Sequence, residues 1–343
     1  MNIKICVLVC LSFSVFWIKC KSKSEAAQLV GTEIHFDSTS VEEASAVVSA
    51  LDTSDYQRRV LALAHDSISK RWPVSDLPFP EAEAILPFYR IVAYYGNFYS
   101  RHMGILGTLA EDQLITNLQK EANAWSKADT TTPVLPAIHY IAITAQSRPG
   151  QGNNYRLRMP ENQINKAIDL GRKINGITFL DVQVGHSSVQ AEVPSLENYL
   201  KNEDVHLGLD PEWSMKDGTV PGRKIGTMDA KDINFAIRYL SDLVKKHQLK
   251  PKIIVVHRFT KGMITHAEDI EPTPQVQVVI DMDGFGFPAK KVDSYKRAVS
   301  AYPVQFTGFK LFYKNDKLTK PYRLMTHDEI LRLYPKPIYI QYQ

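Results

Sequence analysis

The sequence predicts a (β/α)8 barrel, an α/β fold of the TIM type, and three observations predict it. Eight short runs rich in β-branched and aromatic residues recur between positions 90 and 343. Longer segments of helical period separate several of them, the alternation that yields parallel sheet with crossover connections. The stretch they occupy is that of one barrel of about 250 residues. An open doubly wound sheet is the alternative arrangement of the same elements.

The runs are RIVAYYG (90–96), VLPAIHYIAIT (134–144), GITFLDVQV (176–184) and VHLGLDPEW (205–213). KIIVVHRFT (252–260), VQVVIDMDG (276–284), VQFTGFKLFY (304–313) and PIYIQYQ (337–343) complete the set. Helical segments fall at 111–127, 160–175, 229–247 and 291–302. THDEILRLY (326–334) is a further short helix, with Thr326 as its cap. Upstream, residues 41–71 read as a helix with Ser40 as N-cap, ended by the proline-rich WPVSDLPFP. This helix is expected to pack where an eighth crossover helix would lie.

The amino end has a different character. Lys4 precedes an apolar run, Ile5–Ile18, too short for an ordinary membrane span of about 20 residues and suited to the core of a signal peptide. Cys20 follows, then the polar KSKSE, a pattern that suggests lipidation of the thiol, although Lys19 stands where lipoproteins usually carry a small residue. The expected organisation is a signal segment (1–20), a tether (21–40) and one barrel domain (41–343). The expected location is outside the cytoplasm, in the cell envelope, lipid-anchored to a membrane through the amino end. All three cysteines, Cys6, Cys10 and Cys20, lie in the signal region, so the domain has neither a disulfide nor a thiol nucleophile.

A net charge of +4 over 343 residues is small. There is no basic stripe with interleaved aromatics, no Cys/His finger and no phosphate-cradling glycine loop. Nucleic acid is therefore not expected as a partner, and no cofactor and no bound metal are expected.

A barrel carries its site at the C-terminal ends of the strands. There the sequence is polar: Tyr95 on the first strand, Asp181 and Gln183 on the third, Asp210 and Glu212 on the fourth. His257 and Arg258 end the fifth, Asp281 and Asp283 the sixth, and Lys310 and Tyr313 lie on the seventh. Residues two apart share a strand face, so each carboxylate pair points one way. Pro211 stops the fourth strand and leaves Glu212 at the rim. Converging carboxylates raise one another's pKa, and glycoside hydrolysis needs one carboxylic acid beside one carboxylate. Glu212, Asp210, Asp181 and Asp281 are the catalytic candidates. Tyr95, Gln183, Trp213, His257, Arg258, Lys310 and Tyr313 are the candidates for holding substrate.

The segments LDPEW (209–213), VPGRKIGTMDAKDIN (220–234) and KIIVVHRFTKGMI (252–264) resemble an uncharacterised family of bacterial exported barrel proteins and lipoproteins. That resemblance covers roughly residues 88–313 and implies fold and location, not a reaction. A wider similarity is to chitinase-type and lysozyme-type barrels, whose fourth strand ends in Asp-x-Glu with Glu as general acid. It maps onto Asp210 and Glu212, while Val205 and Gly208 stand where the chitinase pattern has two more aspartates.

The expected function is that of a cell-envelope glycoside hydrolase acting on a polysaccharide or peptidoglycan-like glycan. Two other readings compete. One is a non-catalytic carbohydrate- or surface-binding lipoprotein. The other is a metal-dependent hydrolase using His257, Asp210, Glu212 and Asp281.

Overall fold

The computed structural model describes residues 50–69 and 71–343. The expected signal segment, tether, Cys20 lipidation site and first turns of the helix at 41–71 lie outside the described residues. Among the described residues, no helix is long and apolar enough to cross a membrane.

Eight parallel strands close into a barrel: β1 (Arg90–Gly96), β2 (Val134–Ala145), β3 (Ile177–Val182), β4 (Val205–Leu209), β5 (Lys252–His257), β6 (Val276–Met282), β7 (Phe306–Leu311) and β8 (Tyr339–Tyr342). Each pairs with its sequence neighbour, and β8 closes on β1 with Ile91 opposite Tyr339. All eight strands coincide with the runs expected from the sequence, so the open sheet is excluded.

Helices α1 (Thr53–Leu63), α2 (Glu111–Ala128), α3 (Glu161–Lys173), α4 (Ala230–His247), α5 (Pro288–Ser294) and α6 (His327–Leu331) are the main helical elements. They form because each presents an apolar stripe to the sheet: Leu114, Leu118 and Trp125 on α2, Ile233, Ile237 and Leu240 on α4. The Trp125 indole also donates to Tyr342 Oη at 2.9 Å, which fixes α2 against β8. Thr326 caps α6 as expected, in a reciprocal box with Glu329. α5 runs on as a π-helical turn, Tyr295–Ser300. The β3–β4 crossover, where the sequence shows no long helical segment, holds only short turns, including Val189–Glu192 and Glu197–Leu200.

The helix expected over 41–71 is shorter in its described part. α1 starts after Asp52, whose carboxylate accepts from Asp55 N at 3.0 Å, and it ends at Leu63. Side-chain oxygen at Asp52 satisfies an otherwise unpaired N–H, which is why the helix begins there.

Side chains alternate along every strand, so the barrel has an outer and an inner set. The outer set, such as Val92, Ile138, Leu180 and Ile254, packs under the helices. The inner set fills the barrel's N-terminal half with Ile91, Ala93, Ala137, Ile177, Phe179, Ile253, Val255, Val279 and Phe306. Tyr56 and Leu63 of α1, with Leu86, close this end from below. Gln277 on β6 pins the plug, accepting from Leu86 N at 3.1 Å and donating to Leu86 O at 2.6 Å.

Candidate active site

Moving up the same inner faces, the residue types change from apolar to ionisable. His139 (β2), Asp181 (β3), His257 (β5) and Asp281 (β6) are wholly buried in the barrel's upper half. Above them a cleft of about 550 Å³ opens at the C-terminal end. Its polar wall consists of Tyr95, Gln183, Asp210, Glu212, Asp283 and Lys310. Its aromatic wall consists of Trp213, Phe259, Phe285 and Phe312, with His102 and Met103 from the loop after β1.

Local sequence explains how each carboxyl is aimed. Asp210 ends β4 and caps the 3₁₀ turn Pro211–Trp213, its Oδ1 accepting from Glu212 N at 3.2 Å. Gln183 Nε2 donates to the other oxygen at 3.2 Å. The turn swings Glu212 and Trp213 onto the rim, both half-buried. Across the polar wall, Asp283 pairs with Lys310 Nζ at 3.0 Å and lies 3.4 Å from His257 Nδ1. The Lys310 ammonium also sits 3.7 Å from the centre of the Tyr95 ring, a cation–π contact in a largely dry place.

The electrostatics follow from burial and from crowded charge. Desolvation, together with the charge of Asp283, pushes the Glu212 carboxyl up to about 7. Burial raises Asp210 well above the usual carboxylate range, His257 opposing and Asp181 and Glu212 adding to the rise. Asp181 goes the other way: burial is opposed and overcome by the His257 and His139 imidazoles. His257 is raised despite its burial, because Asp181 and Asp283 flank it. Burial lowers His139 to about 4. Neighbouring carboxyls with opposed pKa shifts are what acid–base chemistry requires.

No protein-family model and no curated protein matches the chain. Among solved structures the chain is similar to one described as a candidate alpha-L-fucosidase from Bacteroides thetaiotaomicron. The two share 11% sequence identity with a TM-score of 0.34, over 81% of this chain and 91% of that one. A likeness so remote says nothing about the reaction; the barrel rests on its own closed sheet.

The residues expected from sequence divide into three groups. Tyr95, Gln183, Asp210, Glu212, Trp213 and Lys310 do line the cleft. Asp181, His257 and Asp281 lie in a buried layer below it. Arg258 and Tyr313 are elsewhere. Arg258 stands on the opposite strand face from His257, donating to the carbonyls of Lys261 at 2.9 Å and Ile264 at 3.3 Å and stacking on Tyr302. It shapes the loop after β5. Tyr313 packs outside the barrel on Tyr342 and donates to Glu121 of α2 at 2.7 Å. Both corrections follow from the two-residue period: Arg258 is one position from inward His257 and Tyr313 three from inward Lys310, odd spacings that turn a side chain to the other face.

His139 was not among the expected site residues. Its signal was a lone imidazole at an inward position of an otherwise apolar run. Nor did the metal set His257, Asp210, Glu212 and Asp281 describe what converges: among the described residues, His139, Asp181 and His257 bring their ligand atoms within 4.8 Å of one another.

Proposed function

We propose that the cleft cleaves a glycan by carboxylate acid–base chemistry, with Glu212 as the general acid. One observation carries this reading. Glu212 is a half-buried carboxyl whose pKa is pushed up to about 7, so it holds a proton near neutrality at the edge of an aromatic-lined cleft. A leaving-group oxygen needs such a donor. Asp283, paired with Lys310, is the carboxylate partner, and Asp210 positions Glu212 through its backbone amide. Trp213, Phe259 and Phe312 offer faces on which sugar rings stack. The export-type amino end supports an envelope polysaccharide or peptidoglycan-like substrate and a lipid anchor at Cys20.

The direct experiment screens the purified chain against peptidoglycan and common polysaccharides beside Glu212→Gln. The amide keeps the shape and loses the proton, so turnover falls about 100-fold or more while binding survives. The sign of the pH dependence follows from the role: the acid works protonated, so wild-type kcat falls as pH rises through about 7. Equal cleavage by both proteins removes Glu212 from the reaction. Binding by both with cleavage by neither makes the barrel a carbohydrate-binding module.

A further inference from the structure

Below the cleft, three side chains on three strands each aim one unpartnered atom at a common point. His139 Nε2, Asp181 Oδ1 and His257 Nε2 have no hydrogen-bond partner among the described residues, and all three residues are wholly buried. Asp181 Oδ1 lies 3.5 Å from His139 Nε2 and 3.6 Å from His257 Nε2. Hydrogen bonds normally end near about 3.2 Å, so these spacings are long for one. They are close to the separations of ligands sharing an ion: two atoms each about 2.1 Å from a metal stand roughly 3.0 to 3.4 Å apart at octahedral or tetrahedral angles.

The remaining atom of each residue is held from behind. His139 Nδ1 bonds Tyr339 Oη at 2.6 Å, His257 Nδ1 bonds Asp281 Oδ2 at 3.2 Å, and Asp181 Oδ2 accepts from Tyr95 Oη at 2.9 Å. Imidazoles that bind metals are fixed in this way, their outer nitrogen hydrogen-bonded so that the inner one faces the ion. Gly208 keeps the point open. A Cβ there would lie 2.4 Å from His139 Nε2 and 2.5 Å from Asp181 Oδ1, inside the space an ion needs.

We propose that His139, Asp181 and His257 bind one divalent first-row transition ion. Two imidazoles and one carboxylate suit zinc, iron or cobalt rather than magnesium or calcium, which take all-oxygen sets. The site does not depend on the glycan reading. Gly208 precedes Asp210 by one inward position, so the ion would lie one layer beneath the residue that holds the Glu212 amide.

The test uses the full chain with Cys6, Cys10 and Cys20 replaced by serine, which removes competing thiols. After chelator treatment it is titrated with Zn2+ or Co2+, reading metal content by mass spectrometry and the visible absorption of bound Co2+. One ion per chain is expected, with a rise in the thermal midpoint. Tyr339→Phe keeps all three ligands and loses an outer hydrogen bond, so affinity should fall about 10- to 100-fold. His139→Gln and His257→Gln should abolish uptake. A parent chain that takes up no ion overturns the proposal, whether or not the variants fold. Undiminished uptake in both histidine variants overturns it equally, because the ion is then elsewhere.

Discussion

The two ends of the barrel are built from the same eight strands and differ in almost every inward residue. At the N-terminal end the interior is mostly apolar, Ile91, Ala137, Ile177, Ile253, Val279 and Phe306 around one buried imidazole, His206, and is sealed by Leu86. At the C-terminal end it is His139, Asp181, His257 and Asp281 under an open cleft. Buried charges are held at a cost of several kcal/mol each in desolvation, so the upper half cannot be what stabilises the fold. The lower half contributes about 1.5 to 3 kcal/mol for each large side chain it buries. One end carries stability, and the other holds the ionisable groups on which the proposed chemistry rests.

The sharpest way to break this division is at the lower end's own ion pair. Arg90, wholly buried at the start of β1, meets Asp129 at 2.9 Å. Asp129→Asn leaves the guanidinium uncompensated and should cost about 3 to 5 kcal/mol in denaturant unfolding. The pH dependence has a definite sign. Burial opposes ionisation of Asp129, but Thr131 and Arg90 outweigh it and hold the carboxyl at about 2. The folded value lies below the unfolded one, so the stabilisation is present above about pH 4 and is lost as pH falls toward 2. The gap between wild type and variant should close over that window.

Leu86→Ala comes next, at about 2 to 5 kcal/mol, since it empties the plug beneath the barrel. Binding of the proposed glycan in the cleft should not change in that variant. A parallel loss of binding at a temperature where it is fully folded would show that the two ends are not separable.

The smallest effect lies in the cleft itself. Asp283→Asn removes a negative charge that helps raise Glu212, so the Glu212 carboxyl should titrate lower by about one pH unit or less. Carbon NMR of labelled glutamate reads this directly. An unchanged value would leave desolvation as the whole cause.

The same division explains what could be read in the sequence. Strands were legible because apolar runs of seven to eleven residues alternating with helical segments have few other uses, and the polar strand ends marked the upper rim. Depth was not legible. Asp181 and Asp283 both end strands, yet one is buried in the layer beneath the cleft and the other lines its wall. Their heights depend on the stagger between strands, which pairs Asp181 with Gly208 and Asp281 with Gly308, and one chain read alone does not state its register. Arg258 and Tyr313 were legible in principle, because the period of two already put them on the outer face. His139 was hidden for the opposite reason: a single imidazole in VLPAIHYIAIT looks like an ordinary interruption of a core strand.

The pairing of His139 with Tyr339 has a further consequence. These residues stand 200 positions apart, and β8 closes on β1 across a similar span. Any contiguous fragment that holds both must therefore span at least those 200 positions. Contacts of such separation form late and slowly, because loop closure must be completed before they add stability. Activity should therefore appear all at once on refolding, in step with closure of the sheet and not with formation of the helices. A polypeptide proposed to cross a membrane before it works gains from that order of events, since it remains threadable until its last strand is in place.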